Sequence, residues 1–240
     1  MKQRLDKLVV ARSLAPTRSQ AESLIRLGKV RVNGMTVTKP GELTPENADI
    51  TLLLSEQYVS RAGLKLASVA KVLALDFQNK TVLDVGSSTG GFTDYALQHG
   101  ASKVIAVDVG TDQLHQRLRG HLRIELHEQT DIRSFWPDGT IDVVVIDVSF
   151  ISLRDILPHI AKISSPQTLI VAMCKPQFEA GNSAKHKGVI KNDRMRREIL
   201  KDFEAWLTSY FTTVGKADSE VAGAKGNRER FYLVKKVGGR

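Results

Sequence analysis

The chain has 240 residues, 42% of them apolar, enough for one medium domain and a small companion, with no apolar run near the roughly 20 residues that a bilayer span needs. Its single cysteine, Cys174, excludes an internal disulfide and a cysteine-rich zinc site, and MKQRLDKLVV lacks the long apolar centre of a signal peptide, so a cytoplasmic protein without a metal is expected. The formal charge of +9 points to a polyanionic partner; nine Lys or Arg against two acidic residues place +7 of it within residues 1–40.

Leu5, Leu8 and Val9 recur at helical spacing and predict a short first helix. After Pro16, Thr17-Arg18-Ser19-Gln20 and Ser19-Gln20-Ala21-Glu22 each fit a capping box, and Ala21, Leu24 and Ile25 carry a second helix that stops at Gly28. Val30-Arg31-Val32 alternates as a strand, Asn33-Gly34 is a two-residue hairpin turn, Met35-Thr36-Val37 returns, and Ile50 to Leu54 adds a third strand. A small α+β domain over residues 1–54 is expected, with Arg4, Lys7, Arg18, Arg26, Lys29 and Arg31 along one side. R-L-D-K-L, the R-S-Q-A-E-S-L-I-R-x-G-K-V-x-V-N-G run and T-K-P make it resemble the S-four RNA-binding domain. That resemblance implies that the six cations meet phosphates of A-form RNA and give salt-dependent affinity; a solvated charged face is the plain alternative.

Residues 55–62 show no period and read as a linker to a second domain over 63–240. Gly63 to Leu75 predict a helix with Lys65 near its start. The apolar run from Val82 then passes into Gly86-Ser87-Ser88-Thr89-Gly90-Gly91-Phe92, a buried strand, a glycine turn and a helix start. Such a turn offers free N–H groups and the positive end of a helix to an anion, and its glycines let a ligand come close. The spacing is not the G-x-G-x-x-G of dinucleotide folds. D-x-G-x-x-x-G-G instead resembles the first motif of S-adenosylmethionine-dependent methyltransferases, making Asp84, Gly86, Ser88, Thr89, Gly90, Gly91 and Phe92 the cofactor-binding candidates. A Rossmann-like unit for another nucleotide is the alternative. Val104 to Asp108 is a second strand ending in a carboxylate, where a ribose diol is usually held, and Asp131 is the candidate acceptor for an adenine amino group. The polar stretch with His115, Arg117, Arg119, His121 and Arg123 reads as a solvated helix face, not a metal site.

Ile141 to Asp147 and Leu169 to Lys175 are two further strands with charged ends, and strands alternating with helices predict a doubly wound, mostly parallel, Rossmann-like α/β sheet whose ligands lie at the strands' carboxyl ends. Asp147 and Lys175 fall on that rim; a simple ion pair is the plain reading of either. Phe150 and Phe178 nearby suit a splayed base or the core. Lys185, His186, Lys187, Lys191, Arg194, Arg196 and Arg197 lead into a helix carrying Ile199, Leu200, Phe203 and Trp206 inward, and suit a phosphate track or a charged helix start. A last strand covers Phe231 to Val234.

S-R-A-G-x-K-L, D-V-G-S-S-T-G-G-F-T-D, D-V-S-F-I-S-L, K-P-Q-F-E and K-G-N-x-E together resemble the TlyA (hemolysin A) family of ribosomal RNA 2′-O-methyltransferases, with an FtsJ-like catalytic domain. The resemblance implies S-adenosylmethionine as cofactor, ribosomal RNA or subunits as partner, and a Lys-Asp-Lys-Glu tetrad at Lys65, Asp147, Lys175 and Glu229. A lysine becomes a base only once its ammonium has lost its proton; desolvation and nearby positive charge favour that, and carboxylates oppose it. Lys175 is the candidate base, with Asp147 and Glu229 orienting the amines. The rivals are a membrane-lytic protein, as the older family name suggests, a catalytically idle RNA-binding assembly factor, and a small-molecule methyltransferase.

Overall fold

The computed structural model describes residues 2–15, 17–53, 58–180, 189–190, 192–221 and 227–238. Lys185, His186, Lys187 and Lys191 of the basic run lie outside the described residues, as do Lys225 and Gly226 of K-G-N-x-E and Ser55, Glu56 and Gln57 of the linker.

In the N-terminal part, β1 (Lys2–Arg4) leads into α1 (Leu5–Ala11), followed by α2 (Arg18–Arg26), β2 (Val30–Val32), β3 (Met35–Thr36), β4 (Leu43–Pro45) and β5 (Ile50–Leu52). The first of the two capping-box registers is the one used: Thr17 Oγ1 accepts from the Gln20 N–H at 3.2 Å. Asn33 and Gly34 both have positive φ, as the tight hairpin requires, and the strands order as β3-β2-β5. Leu5, Val9, Ala21, Ile25, Val30 and Ile50 form the core beneath. The antiparallel pair β1-β4 was not expected, because three-residue strands are too short for alternation to register.

The large domain begins earlier than the pattern predicts. Its first helix, α3 (Arg61–Ala70), starts two residues before Gly63 because Ser60 caps it, accepting from the Ala62 N–H at 3.3 Å. The residues just before it are already packed: Tyr58 is buried and the Val59 N–H donates to Asp94 Oδ2 at 2.7 Å. There follow β6 (Thr81–Val85), α4 (Gly91–Gln98), β7 (Lys103–Val107), β8 (Ile124–His127), β9 (Val143–Ile146), α5 (Leu153–Ile163), β10 (Leu169–Cys174), α6 (Pro176–Glu179), α7 (Asp193–Leu207), β11 (Phe211–Asp218) and β12 (Arg230–Lys236).

These strands make one sheet in the order β11-β12-β10-β9-β6-β7-β8. The five from β10 to β8 are parallel, whereas β12 runs antiparallel to β10 and β11 antiparallel to β12. Both faces are covered, so the strands are apolar throughout. Val82 packs with Leu66, Phe92 and Phe231 on the α3 and α4 side, and its neighbour Leu83 with Leu157, Ile160 and Phe203 on the other. β6 has β7 on one side and β9 on the other, which opens a crevice at the carboxyl ends of β6 and β9 where connections leave in opposite directions.

Three local readings change. Residues 110–123 form turns rather than a helix, with Leu114 and Leu118 buried and the charged side chains around them. β8 is a four-residue edge strand, and β11 was missed because Gly215 interrupts its run at a register shift after Thr213. Among the described residues no helix is long and apolar enough to cross a membrane.

Candidate active site

The glycine turn is shaped mainly by the protein around it. Gly86 has φ +79°, and a Cβ there would stand 2.7 Å from the Asp147 carbonyl oxygen. Backbone meets backbone at that point, so only glycine lets the ends of β6 and β9 approach. Gly90, at φ +88°, supplies the left-handed cap of α4 and is roofed by Leu114 and Leu118. It lines neither cavity described below, contrary to the expectation that it faces the ligand; its glycine is required by dihedral and packing.

Two cavities, of about 480 and 270 Å³, adjoin across Gly86, Ser88, Asp147 and Ser149, which line both. The larger has apolar walls from Val85, Val107, Ile132, Val148 and Ile156, with Asp108 and Asp131 at its edge. Asp108 accepts from the Ser88 N–H at 2.8 Å and the Gly110 N–H at 2.7 Å, so backbone donors hold the carboxylate at the strand end. Asp131 is more committed than expected: both its oxygens accept from Arg133, at 3.0 and 2.6 Å, which holds its carboxyl below the usual range. An adenine amino group there would share that acceptor with Arg133.

The smaller cavity is lined by Lys65, Asp84, Ser88, Thr89, Gly91, Phe92 and Lys175 among others. Phe92 is chiefly a core side chain, 2% exposed and with its ring 6.1 Å from that of Phe231. Asp84 is 1% exposed, and burial pushes its pKa up to about 7 in spite of a 2.6 Å hydrogen bond donated by Thr93 to Oδ2. Its Oδ1 has no hydrogen-bond partner among the described residues. A buried carboxyl oxygen left unused at a cavity wall suits a cationic ligand group, such as the α-ammonium of an amino acid. A nucleoside-sized apolar hollow beside it completes a set of residues that fits S-adenosylmethionine.

Three of the four tetrad candidates, Lys65, Asp147 and Lys175, line the smaller cavity, and the fourth, Glu229, stands behind Lys65. Lys175 Nζ lies 2.6 Å from Asp147 Oδ1 and donates to Ser149 Oγ at 2.7 Å, while Lys65 Nζ donates to Glu229 Oε1 at 3.0 Å. Side-chain exposures of 10% for each lysine, 16% for Asp147 and 3% for Glu229 leave the two amines largely desolvated. Glu229 itself does not line the cavity and acts on it through Lys65. Sequence reasoning missed Ser149, which lines both cavities; the available signal was a small hydroxyl two residues past the strand-end Asp147. Ser60 and Arg61, also on the smaller cavity's wall, were missed because they read as linker.

Other candidates are placed differently. Arg196 is buried, donating to the Arg228 carbonyl at 3.1 Å and to Asp218 at 2.8 Å, so it fixes the approach to Glu229 instead of tracking phosphates. Phe150 is 92% exposed with φ +68°, a strained backbone for an aromatic residue, so it is not core; the half-buried Phe178 ring lies 5.4 Å away. In the N-terminal part, Arg4 and Arg18 reach the fully buried Asp6 at 2.7 and 2.9 Å. Burial opposes ionisation of Asp6, and hydrogen bonds from the two arginines outweigh it, holding the carboxyl at about 2. Both arginines thus serve the fold, whatever else they meet. Lys7, Arg26 and Arg31 are exposed, and Lys29 is half-buried.

Comparison with known proteins agrees with this fold. Residues 58–236 match the FtsJ-like methyltransferase model and residues 3–50 the S4 domain model. A Mycobacterium tuberculosis protein named 16S/23S rRNA (cytidine-2′-O)-methyltransferase TlyA is 36% identical over 239 residues, 97% of this chain and 89% of its own. Hemolysin A of Brachyspira hyodysenteriae is 39% identical over 237 residues, 96% of this chain and 98% of its own. A solved Streptococcus thermophilus structure, described as that of a hemolysin, superposes with a TM-score of 0.72 at 38% identity, covering 99% of this chain and 89% of that one. With the two models together spanning nearly its whole length, the chain belongs to the FtsJ-like methyltransferases, has an S4 domain ahead of that domain, and is similar over nearly all of its length to TlyA and hemolysin A.

Proposed function

We propose that this protein transfers a methyl group from S-adenosylmethionine to a ribose 2′-hydroxyl of ribosomal RNA, free or in subunits, in the cytoplasm. Residues 1–54 anchor the RNA, and the domain that begins at Tyr58 carries out the transfer. The observation that carries the reading is the convergence of two desolvated lysines, each held by a carboxylate, on a cavity that adjoins a nucleoside-sized hollow. The names of the relatives make cytidine the first nucleotide to test.

When bound, S-adenosylmethionine supplies an electrophilic methyl carbon on a positive sulfur. Asp84 would hold its ammonium, Asp108 its ribose and the apolar walls its adenine. A ribose hydroxyl is a weak nucleophile, so the remaining work falls to the side chains facing it. Lys175 Nζ takes the hydroxyl proton as the oxygen attacks, and its lone pair is aimed by Asp147 on one side and Ser149 on the other. Lys65, fixed by Glu229, lies on the same wall and adds positive charge near the developing oxyanion.

Lys175→Ala tests this directly. The variant is expected to bind S-adenosylmethionine with a dissociation constant within threefold of the parent while methyl transfer to ribosomal RNA falls by at least about 100-fold. Turnover equal to the parent's would remove Lys175 from the chemistry.

A further inference from the structure

Strand pairing alone does not fix the distance between Asp147 and Lys175. The β9 and β10 ladder ends at Ile146 and Ala172, so the loop 147–152 and the turn 175–179 leave the sheet as separate segments. Glu179 ties them together. Its Oε1 accepts from the Leu153 N–H at 2.8 Å, and its Oε2 accepts from the Ser152 hydroxyl. Ser152 in turn caps α5, accepting from the Arg154 N–H at 3.1 Å, so one carboxyl group closes the N-terminus of α5 against the end of α6.

The placement matters because Glu179 sits one helical turn after Lys175. α6 starts with Pro176 directly behind Lys175, and the Phe178 N–H returns to the Lys175 carbonyl at 2.9 Å, which makes the stretch from Lys175 to Glu179 a single stiff turn. On the facing segment, Asp147, Ser149 and Ser152 belong to one short loop held in a strained form at Phe150. The Glu179 side chain is 1% exposed and touches neither cavity, so its partners are all protein groups. The family resemblance rests in part on K-P-Q-F-E and D-V-S-F-I-S-L, and the tetrad accounts only for their first residues.

We propose that Glu179 is a positioning residue for methyl transfer, clamping the loop that carries Asp147 and Ser149 onto the turn that carries Lys175. The inference rests on the reading of Lys175 and Asp147 as catalytic. Without the clamp the walls of the cofactor hollow from Val85, Val107, Asp108 and residues 130–133 stay in place and only its 147–151 edge loosens, while the orientation of the Lys175 amine toward the sugar oxygen is lost.

Full-length Glu179→Ala, Glu179→Gln, Ser152→Ala and Lys175→Ala are compared in methyl transfer from labelled S-adenosylmethionine to ribosomal RNA, with cofactor affinity measured by calorimetry. Glu179→Ala is expected to lower kcat at least tenfold with the RNA KM and the cofactor Kd within threefold. Glu179→Gln, which still accepts from Leu153 and can donate to Ser152, is expected to keep kcat within threefold. Ser152→Ala removes one of the two bonds and is expected to lie between them; it carries the test if Glu179→Ala does not fold. The inference is overturned if Glu179→Ala or Ser152→Ala turns over like the parent, or if kcat and cofactor affinity fall together. If Lys175→Ala also turns over like the parent, the tetrad reading has failed; if Lys175→Ala is inactive and Glu179→Ala is not, only the clamp has.

Discussion

Asp84, proposed above to hold the cofactor's ammonium, works against the fold. Its carboxyl is buried with one oxygen unused among the described residues, so ionising it is costly, and its pKa rises from an ordinary 3.8 to about 7. A raised carboxylate pKa means that the folded state holds the proton longer than the unfolded chain does. Stability is therefore full below the unfolded value and falls as pH rises from about 4 to 7. Asp84→Asn is expected to raise the melting temperature at pH 8, where the penalty amounts to at most about 4 kcal/mol, and to leave it unchanged at pH 4. The same variant is expected to bind S-adenosylmethionine at least tenfold more weakly; thermal melts at the two pH values and calorimetry check both. Asp84 was legible in the sequence because a strand running into a glycine turn announces its neighbours. Its unused oxygen was not, since that depends on Thr93 serving only one side of the carboxyl group.

Elements decide what each cation does. α2 presents Arg18 and Arg26 from one helix, yet Arg18 turns back to the buried Asp6 while Arg26 stays in solvent. Arg18→Ala is expected to destabilise the N-terminal part by about 1–2 kcal/mol, because a buried carboxylate loses one of its two arginine partners. Arg26→Ala is expected to leave stability unchanged and to weaken RNA binding with a shallower salt dependence; denaturant melts and binding titrations over a salt series separate the two. Segregated charge was visible along the sequence, but the division of labour was hidden because it depends on which arginines fold back onto Asp6. At the turn after β6, Gly86→Ala is expected to cost about 2–4 kcal/mol, since it joins an unfavourable dihedral to a clash with the Asp147 carbonyl, and to abolish cofactor binding. Here the sequence marked Gly86 and Gly90 for a turn and a ligand, and the structure gives them a reason of its own. Packing against β9 and the 114–118 turn demands them at least as much as a ligand does, and no local pattern reveals those partners.

At the scale of the molecule, the parallel order around β6 and β9 was legible because buried strands are continuous β-branched runs, and with it the rim where Asp147 and Lys175 lie. The pairing of Lys65 with Glu229 was out of reach of spacing, since it joins α3 to the residue just before β12 across 164 positions; family resemblance named the two residues but not their pairing. The two parts of the chain also touch, with Leu24 of α2 and Leu27 just after it packed on the large core beside α3, the helix that carries Lys65. Removing residues 1–54 is expected to leave a domain that binds cofactor but holds ribosomal RNA weakly and with little salt dependence, as filter binding over a salt series would read. The account as a whole stands on where the methyl group goes. A 2′-O-methyl ribose cannot attack its neighbouring phosphodiester, so alkaline hydrolysis of ribosomal RNA methylated with labelled S-adenosylmethionine should release the label in alkali-resistant dinucleotides. Label recovered in mononucleotides, or none in the RNA at all, would contradict it.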